Sequence, residues 1–270
     1  MNSVSIFGVG LIGGSFALAL REAGFAGRII GVSSPRTIAL AIERCVIDEG
    51  ATLEEAAKAD LVFLAQPISV ILETLTKLSG HLGPGTIVTD AGSTKVEIVA
   101  RAAKCLPRER FVGGHPMAGK EVTGLSAAEA GLFRGRPWIL TDSGPAADLV
   151  RLWVERFGAR PFLFTADEHD RTVAMTSHLP QFLSTALALT LADCARASEI
   201  SGPGAADMLR LALSSADLWR DIAATNATNI RFAIDRYIEV LQKVQVHLTD
   251  EAMDERFSTA STTANRLRKF

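Results

Sequence analysis

The spacing of hydrophobic and polar residues divides the chain into two parts. In the first part, short runs rich in β-branched and aliphatic residues alternate with amphipathic stretches of helical period. This alternation is typical of parallel strands that are joined and covered by helices. The predicted strands are residues 4–7, 28–32, 61–65, 86–89 and 110–112. Two further strands, 137–141 and 160–164, flank a helix over 145–157 and are expected to complete the same sheet.

The second part has a helical pattern from residue 165 onward. Thr165 and Glu168 have the spacing of a capping box, in which each side chain bonds the backbone of the other residue. Pro180 is expected to kink its helix, and the Ser-Gly-Pro-Gly run at 201–204 predicts a break between helices. We therefore expect an α/β domain over residues 1–165, followed directly by an all-α domain over 166–270.

Composition narrows the classes of protein. The chain has 270 residues, of which 48% are apolar and 21% charged, and its net charge is -2. It can therefore bury a core, and it has no excess charge that would attract nucleic acid. No apolar run reaches the roughly 18 residues of a membrane span, and no secretory signal opens the sequence. Cys45, Cys105 and Cys194 lie far apart and outside metal-ligand spacing, so we expect them to be buried and inert in a cytoplasmic protein without a bound metal.

A glycine-rich turn follows the first predicted strand and opens the first helical stretch. Its GxGxxG pattern is formed by Gly8, Gly10 and Gly13, with Leu11 and Ile12 between the last two glycines. In this context the glycines let the backbone turn and approach a pyrophosphate, and the helix N-terminus supplies N–H donors. The turn thus predicts a dinucleotide-binding domain of the Rossmann type. A glycine turn without a ligand is the alternative, which its placement between strand and helix disfavours.

The end of the second predicted strand bears on the choice of cofactor. Domains that prefer NAD usually carry Asp or Glu about 20 residues past the glycines, whereas this chain has Ser33. No carboxylate at this position would repel a 2′-phosphate, and Arg36, close to Ser34, is able to pair with one. We therefore expect NADP to be favoured over NAD. The alternative is that Arg36 is a solvated residue at the start of a helix.

Three segments lie at the carboxyl ends of predicted strands, where open α/β sheets bind ligands. They are residues 65–67, 90–95 and 113–119, which contain Pro67, Ser93 and His115. His115 is the candidate for proton transfer, because an imidazole titrates near neutral pH and the glycines beside it are expected to leave room for a substrate. The alternative is a loop histidine bonded to backbone. We interpret His81, His169 and His247 as structural or solvated.

The helical part contains further candidates for substrate binding. His178 and Gln181 are three residues apart and so share one helix face. Arg210 lies in an apolar helical sequence, with Asp207 three residues earlier and Trp219 nine later. A guanidinium is well suited to bind a substrate carboxylate. An internal Asp207–Arg210 ion pair explains the same spacing equally well, and both arrangements hold if Asp207 orients Arg210.

Taken together, these segments resemble the prephenate and arogenate dehydrogenases of tyrosine biosynthesis. The resemblance spans nearly the whole chain and rests on residues 8–15, 90–95, 113–119, 177–180 and 210–221. Its most specific segment is His-Pro-Met-Ala-Gly at 115–119. The resemblance implies NAD(P)-dependent oxidative decarboxylation of arogenate or prephenate, and a homodimer joined through helical domains.

The resemblance also implies roles for individual residues. His115 would accept the proton of the substrate's 4-hydroxyl, and Ser93 would contact that hydroxyl near the nicotinamide. Arg210 would bind a substrate carboxylate, supported by Asp207 and Trp219. Glu121 occupies the position of a gating acid. Gln181 departs from the family pattern, because many relatives have a second histidine there, and together with Ser33 and Ser34 this departure favours arogenate with NADP.

Two alternatives remain at the level of sequence. A β-hydroxyacid dehydrogenase or imine reductase has a similar division into domains, but hydroxyacid dehydrogenases of that type use a lysine on the interdomain helix, and this chain has no lysine between Lys120 and Lys243. A non-catalytic dinucleotide sensor would need no combination of His115, Ser93 and Arg210. Reduction of the cofactor by a substrate would separate an enzyme from such a sensor.

Overall fold

The computed structural model describes residues 1–120, 122–249 and 252–268. Within these ranges the strands are β1 (Ser3–Phe7), β2 (Arg28–Val32), β3 (Glu49–Gly50), β4 (Leu61–Leu64), β5 (Ile87–Asp90), β6 (Phe111–Val112), β7 (Gly114–Pro116), β8 (Pro137–Leu140) and β9 (Arg160–Leu163). The α-helices are α1 (Leu11–Glu22), α2 (Pro35–Glu43), α3 (Leu53–Ala56), α4 (Ile68–Leu78), α5 (Val96–Cys105), α6 (Pro145–Arg156), α7 (Ala166–Val173), α8 (Leu179–Ala192), α9 (Ala197–Ile200), α10 (Pro203–Leu209), α11 (Ala216–Thr225), α12 (Ala227–Val246) and α13 (Ala252–Leu267). Short 3₁₀ helices cover Arg108–Arg110, Leu125–Ala127, Ala130–Phe133 and Arg210–Leu213, and a π-helix covers Ala174–His178.

A six-stranded parallel sheet forms the centre of the α/β part. Its strand order is β3-β2-β1-β4-β5-β6. The strand β4 is a continuous apolar run and is fully buried, and β1 is buried from Val4 to Phe7 although it contains Ser5. Burial of both faces is typical of a parallel sheet that is covered by helices on each side. The chain adds β2 and β3 on one side of β1 and then β4 on the other. Ligands of open α/β sheets bind at the carboxyl edge of such a reversal.

A second, three-stranded sheet holds the segments that were expected to complete the first one. The strand β7 pairs antiparallel with β8, and β8 pairs parallel with β9. The expectation of a single sheet is therefore wrong. The physical reason is the packing of Trp138 on β8, which is fully buried with its ring centroid 6.1 Å from that of Phe16 and 5.0 Å from that of Phe133. Periodicity predicts strands but not their partners.

Packing divides the chain into two units. One contains Met1–Val173 and Leu213–Thr225, and the other contains Ala174–Ala212 and the chain from Asn226 onward. The helix α11 belongs to the first unit, where Asp221 Oδ2 accepts the backbone N–H of Ser69 at 2.8 Å and its hydroxyl at 2.7 Å. The domain boundary that the sequence predicts near residue 165 stays a prediction.

The start of α7 has the predicted capping box. Thr165 Oγ1 accepts the backbone N–H of Glu168 at 3.2 Å, and Glu168 Oε2 accepts that of Thr165 at 2.8 Å, which confirms the prediction. Farther along, the π-helix ends directly before α8, and Pro180 lies in the first turn of α8, where its missing N–H costs no helical hydrogen bond.

The cysteines differ from expectation. Cys45 and Cys194 are exposed and Cys105 is half-buried, so the prediction that all three are buried is wrong. Each lies at or near a helix end, where the side chain is not drawn into the core. In the described ranges, no helix is long and apolar enough to cross a bilayer, and no group of three or more His, Cys, Asp or Glu side chains is arranged to hold a metal.

Candidate active site

The glycine turn after β1 shows which glycines the fold itself requires. Gly8 has φ +89°, and a Cβ there would lie 2.7 Å from the carbonyl oxygen of Ala65 at the end of β4. A Cβ on Gly13 would lie 2.1 Å from the carbonyl oxygen of Gly8. By contrast, a Cβ on Gly10 would meet nothing within 4 Å. Gly8 and Gly13 therefore serve internal packing, whereas Gly10 borders open space at the carboxyl edge of the sheet.

The first turn of α1 suits an anionic ligand. The helix begins at Leu11 with Gly10 as its N-cap, which provides no side-chain cap, and the first turn has no acidic residue. The N–H groups of a first helical turn lack intrahelical acceptors and point outward. Leu11 and Ile12 are half-buried beside them. A dinucleotide diphosphate fits this turn, because the donors and the helix dipole both favour negative charge.

The end of β2 is polar and exposed. Ser33, Ser34 and Arg36 are all exposed there. The hydroxyl of Ser34 caps α2 by accepting the backbone N–H of Thr37 at 3.3 Å. Ser33 and Arg36 thus present their side chains at the carboxyl end of β2. The exposed Pro67 follows β4 and forms the N-cap of α4.

His115 lies on β7, opposite Ile139 of β8, and is 9% exposed. The glycines that precede it pack against protein. A Cβ on Gly113 would lie 2.6 Å from Thr141 Oγ1, and one on Gly114 would lie 2.5 Å from the carbonyl oxygen of Asp90. The expectation that these glycines leave room for a substrate is therefore wrong, because they allow β7 to approach the end of β5.

A buried ion pair holds this approach together. Asp90 and Lys95 are both completely buried, and Lys95 Nζ contacts Asp90 Oδ2 and donates to the carbonyl oxygen of Gly114 at 2.8 Å. The Asp90 carboxylate also accepts the backbone N–H groups of Gly92 at 2.8 Å and Gly114 at 3.1 Å. Burial lowers the pKa of the Lys95 ammonium, and attraction to Asp90 opposes that shift. The pair fixes the backbone next to His115 to the end of β5.

The side chain in contact with His115 is one that the sequence did not identify as functional. His115 Nδ1 lies 2.8 Å from His169 Nε2, and His169 Nδ1 lies 2.7 Å from Asp170 Oδ1. His169 and Asp170 are each 1% exposed. Burial is the main cause that lowers the pKa of His169, and its hydrogen bond to Asp170 opposes the change. The signal available in the sequence was an adjacent His-Asp pair one turn after a helix cap.

Two other predicted site residues of the α/β unit are Ser93, which is close in sequence to Asp90 and Lys95, and Trp219, which lies on helix α11. Ser93 is half-buried in the loop between β5 and α5. Its neighbour Thr94 is buried, and Thr94 Oγ1 lies 2.8 Å from Thr225 Oγ1 at the end of α11. Trp219 is half-buried on the same helix. Glu121 lies outside the described residues.

The helical unit holds the remaining candidates. His178 is 1% exposed, and its Nδ1 lies 3.3 Å from Asn226 Nδ2. Gln181 is 5% exposed and donates from Nε2 to the carbonyl oxygen of Leu211 at 2.8 Å. Asp207 and Arg210 are exposed, and Arg210 begins a 3₁₀ helix.

The orientation of the Gln181 amide follows from its partners. Nε2 also lies 3.3 Å from Thr185 Oγ1, and the Thr185 hydroxyl donates to the backbone carbonyl oxygen of Gln181. Both partners of Nε2 therefore act as acceptors, which fixes the amide nitrogen on their side. The other end, Oε1, is a buried acceptor without a hydrogen-bond partner among the described residues.

Comparisons with known proteins cover most of the chain. The prephenate dehydrogenase nucleotide-binding domain matches residues 16–162, and the prephenate dehydrogenase dimerization domain matches residues 165–260. The prephenate dehydrogenase of Lactococcus lactis subsp. cremoris is 31% identical over 257 residues, covering 92% of this chain and 72% of that protein.

Two solved structures are similar over nearly their full length. Prephenate dehydrogenase from A. aeolicus, in complex with hydroxyphenyl propionate and NAD+, has a TM-score of 0.92 at 32% identity and covers 99% of this chain and 98% of its own. Synechocystis arogenate dehydrogenase has a TM-score of 0.84 at 31% identity and covers 99% of each chain.

These matches first define a class. The chain is an oxidoreductase in which a Rossmann-type nucleotide-binding domain is followed by a helical domain. Within that class, it belongs to the prephenate dehydrogenase family. The fold class and the family expected from the sequence are thereby confirmed.

Proposed function

We propose that this protein catalyses NAD(P)-dependent oxidative decarboxylation of arogenate, prephenate or both, with His115 as the proton acceptor. The observation that carries the proposal is the buried chain from His115 through His169 to Asp170, built at the carboxyl edge of a dinucleotide-binding sheet. A histidine with its ring held by a second buried group is a common arrangement for a general base.

The cofactor is assigned to the glycine turn. The α1 N-terminus and the open side of Gly10 would hold the diphosphate, with Gly8, Leu11, Ile12 and Gly13 shaping the turn. When bound, the nicotinamide supplies a hydride acceptor for the substrate carbon that bears the hydroxyl. Ser93 and Pro67 would border its ring side.

The residues of this chain then have the following roles. His115 takes the hydroxyl proton as that carbon becomes a carbonyl, and it returns the proton to the oxygen when the ring becomes aromatic. The ring carboxylate leaves as carbon dioxide, and the electron pair of its broken C–C bond enters the ring. No proton is gained or lost overall, so a single base is sufficient.

Substrate anchoring is assigned to the helical domain and α11. Arg210 would bind a carboxylate of the substrate, with Asp207 and Trp219 supporting it and His178 contributing a buried polar contact. Glu121 would act as the gating acid implied by the resemblance.

Gln181 supports a preference for arogenate. Its buried Oε1 is an acceptor that needs a donor, and an unsatisfied buried acceptor costs about 1–3 kcal/mol. The ammonium of arogenate can donate to it, whereas the keto group at the same position of prephenate cannot. Ser33, Ser34 and Arg36 support NADP as the cofactor, because no carboxylate stands at Ser33 and the Arg36 side chain is exposed.

We infer a homodimer that is joined through the helical domain. In the single chain, helices α12 and α13 expose large apolar side chains, among them Phe232 at 62%, Val246 at 76% and Phe257 at 64%. Surfaces of this kind mark sites of association. We assign these side chains to the dimer contact. We also propose that the boundary between the two domains lies near residue 165, and that the enzyme is located in the cytoplasm.

The decisive experiment measures steady-state rates for the four pairings of arogenate or prephenate with NADP or NAD, followed as absorbance at 340 nm. The expected result is the highest kcat/KM for arogenate with NADP. Substitution Gln181→His should reduce the arogenate preference, and Thr190→Ser, on the same helix but exposed, is the matched control. If no pairing reduced the cofactor, the proposed activity would be refuted; an NAD preference above about tenfold, roughly 1.4 kcal/mol, would refute the NADP assignment.

A further inference from the structure

The carboxylate of Asp170 acts only as an acceptor in its contacts with the start of α5. Its Oδ1 accepts the backbone N–H of Lys95 at 2.6 Å, and its Oδ2 accepts that of Val96 at 2.9 Å. The helix has no side-chain cap from its own N-cap residue, so Asp170 of α7 provides the cap from a different helix. This double contact fixes the position of both carboxylate oxygens.

The fixed carboxylate determines the tautomer of His169. Because Asp170 Oδ1 is an acceptor 2.7 Å from His169 Nδ1, the proton of the neutral ring is on Nδ1. His169 Nε2 is then an acceptor, and it faces His115 Nδ1 at 2.8 Å. Burial of His169 favours its neutral form, which is consistent with this assignment.

The same reasoning extends to His115. The reverse tautomer of His115 would set its unprotonated Nδ1 against the unprotonated Nε2 of His169, so two lone pairs would face each other at hydrogen-bond distance. The favoured form has the proton on His115 Nδ1 and the lone pair on Nε2. Only a ring nitrogen with a lone pair can accept a proton from substrate.

We propose that His169 and Asp170 are a positioning pair that keeps the proton of His115 on Nδ1 and so makes Nε2 the basic nitrogen. This inference rests on the proposed function, in which His115 is the base, and it goes beyond it by assigning a role to two residues that are each only 1% exposed. The charged groups around His169 are Asp170 on α7, Lys95 before α5 and Asp90 on β5.

The pair also has a consequence for the protonated state of His115. When Nε2 takes a proton, the ring becomes a cation that still donates from Nδ1 to His169. The Asp170 carboxylate lies at the far end of this chain of hydrogen bonds, 2.7 Å from His169 Nδ1, so the direction of donation from His115 to His169 is kept in both protonation states of His115.

One experiment reads the tautomers directly in the wild-type protein, without cofactor or substrate. Long-range ¹H–¹⁵N correlation spectra of ¹⁵N-histidine-labelled protein distinguish protonated from unprotonated ring nitrogens. We expect protonated Nδ1 and unprotonated Nε2 in both His115 and His169 at neutral pH. A spectrum in which His115 Nε2 carries the proton, or exchanges rapidly between tautomers, would overturn the inference even if the enzyme were active.

A second experiment measures the kinetic effect. In His169→Phe, which removes the acceptor for His115 Nδ1, we expect kcat to fall about 10- to 100-fold, with KM and the cofactor dissociation constant nearly unchanged. The pH below which kcat/KM declines should also change. The matched control is His81→Phe, which changes an exposed imidazole of the same unit. An unchanged kcat and pH profile in folded His169→Phe would refute the positioning role and leave the proposed activity intact.

Discussion

Replacing Gly13 or Gly10 by alanine separates the packing role of the glycine turn from its ligand role. The added Cβ is the same in both variants, but its surroundings are opposite. At Gly13 it would lie 2.1 Å from the carbonyl oxygen of Gly8 and 2.8 Å from Ile6 Cγ2. At Gly10 it would meet nothing within 4 Å.

The magnitudes follow from these contacts. Overpacking costs about 1–3 kcal/mol or more, and a backbone oxygen in a tight turn has little freedom to move, so the upper end applies at Gly13. Alanine recovers up to about 1 kcal/mol of helix propensity. We expect Gly13→Ala to lose at least about 2 kcal/mol of unfolding free energy. Gly10→Ala changes an N-cap and should lose less than about 1 kcal/mol.

Binding should show the reverse order. The Gly10 methyl group would project into the space assigned to the diphosphate, so the cofactor dissociation constant should rise at least about tenfold, equivalent to about 1.4 kcal/mol. Urea denaturation measures stability, and isothermal titration calorimetry measures binding of NAD and NADP. The reasoning is refuted if Gly10→Ala is destabilised as much as Gly13→Ala, or if it binds both cofactors like the wild type.

Three further predictions concern single side chains. Lys95→Met leaves the Asp90 carboxylate buried without its cation and should cost about 3–5 kcal/mol of unfolding free energy in urea denaturation; a loss below about 1 kcal/mol contradicts this. The pKa of His169 is lowered in the folded state, so the unfolded state binds more protons as the pH falls below the ordinary pKa of 6.5. The unfolding free energy should therefore fall as the pH drops from 6.5 through the lower folded pKa, by at most about 1.4 kcal/mol per pH unit for one proton. In urea denaturation at a series of pH values, His169→Gln should reduce that slope. Arg36→Ala should lower kcat/KM for NADP at least about tenfold but leave that for NAD within about twofold; equal losses for both cofactors would disprove the assigned 2′-phosphate contact.

The main sheet was predictable because its strands carry their own signal. The apolar and β-branched residues of β1, β2 and β4 can be recognised without tertiary information, and the glycine turn marks the passage from β1 to α1. The short β3, Glu49–Gly50, has no such run and was not predicted. The pairing of β8 with β7 was also missed, because it depends on the burial of Trp138 among rings from distant segments.

The sequence was sufficient to identify His115 as a candidate site residue, but not to identify the buried side chains that hold it. His115 stands in a distinctive segment, whereas its contact with His169 joins residues 54 positions apart and depends on the docking of α7 against α5. A lysine in a loop is expected to be solvated, so the sequence does not predict the complete burial of Lys95, which depends on the approach of β7 to β5. Such side chains become recognisable once the fold has placed a carboxylate beside them.

The assignment of His115 as the base is tested most directly by single-turnover formation of reduced cofactor in His115→Asn. With arogenate and NADP at saturating concentrations, we predict a rate about two to four decades below that of the wild type, with cofactor affinity retained. A variant that binds the cofactor and reduces it at a near-normal rate would contradict the assignment of His115.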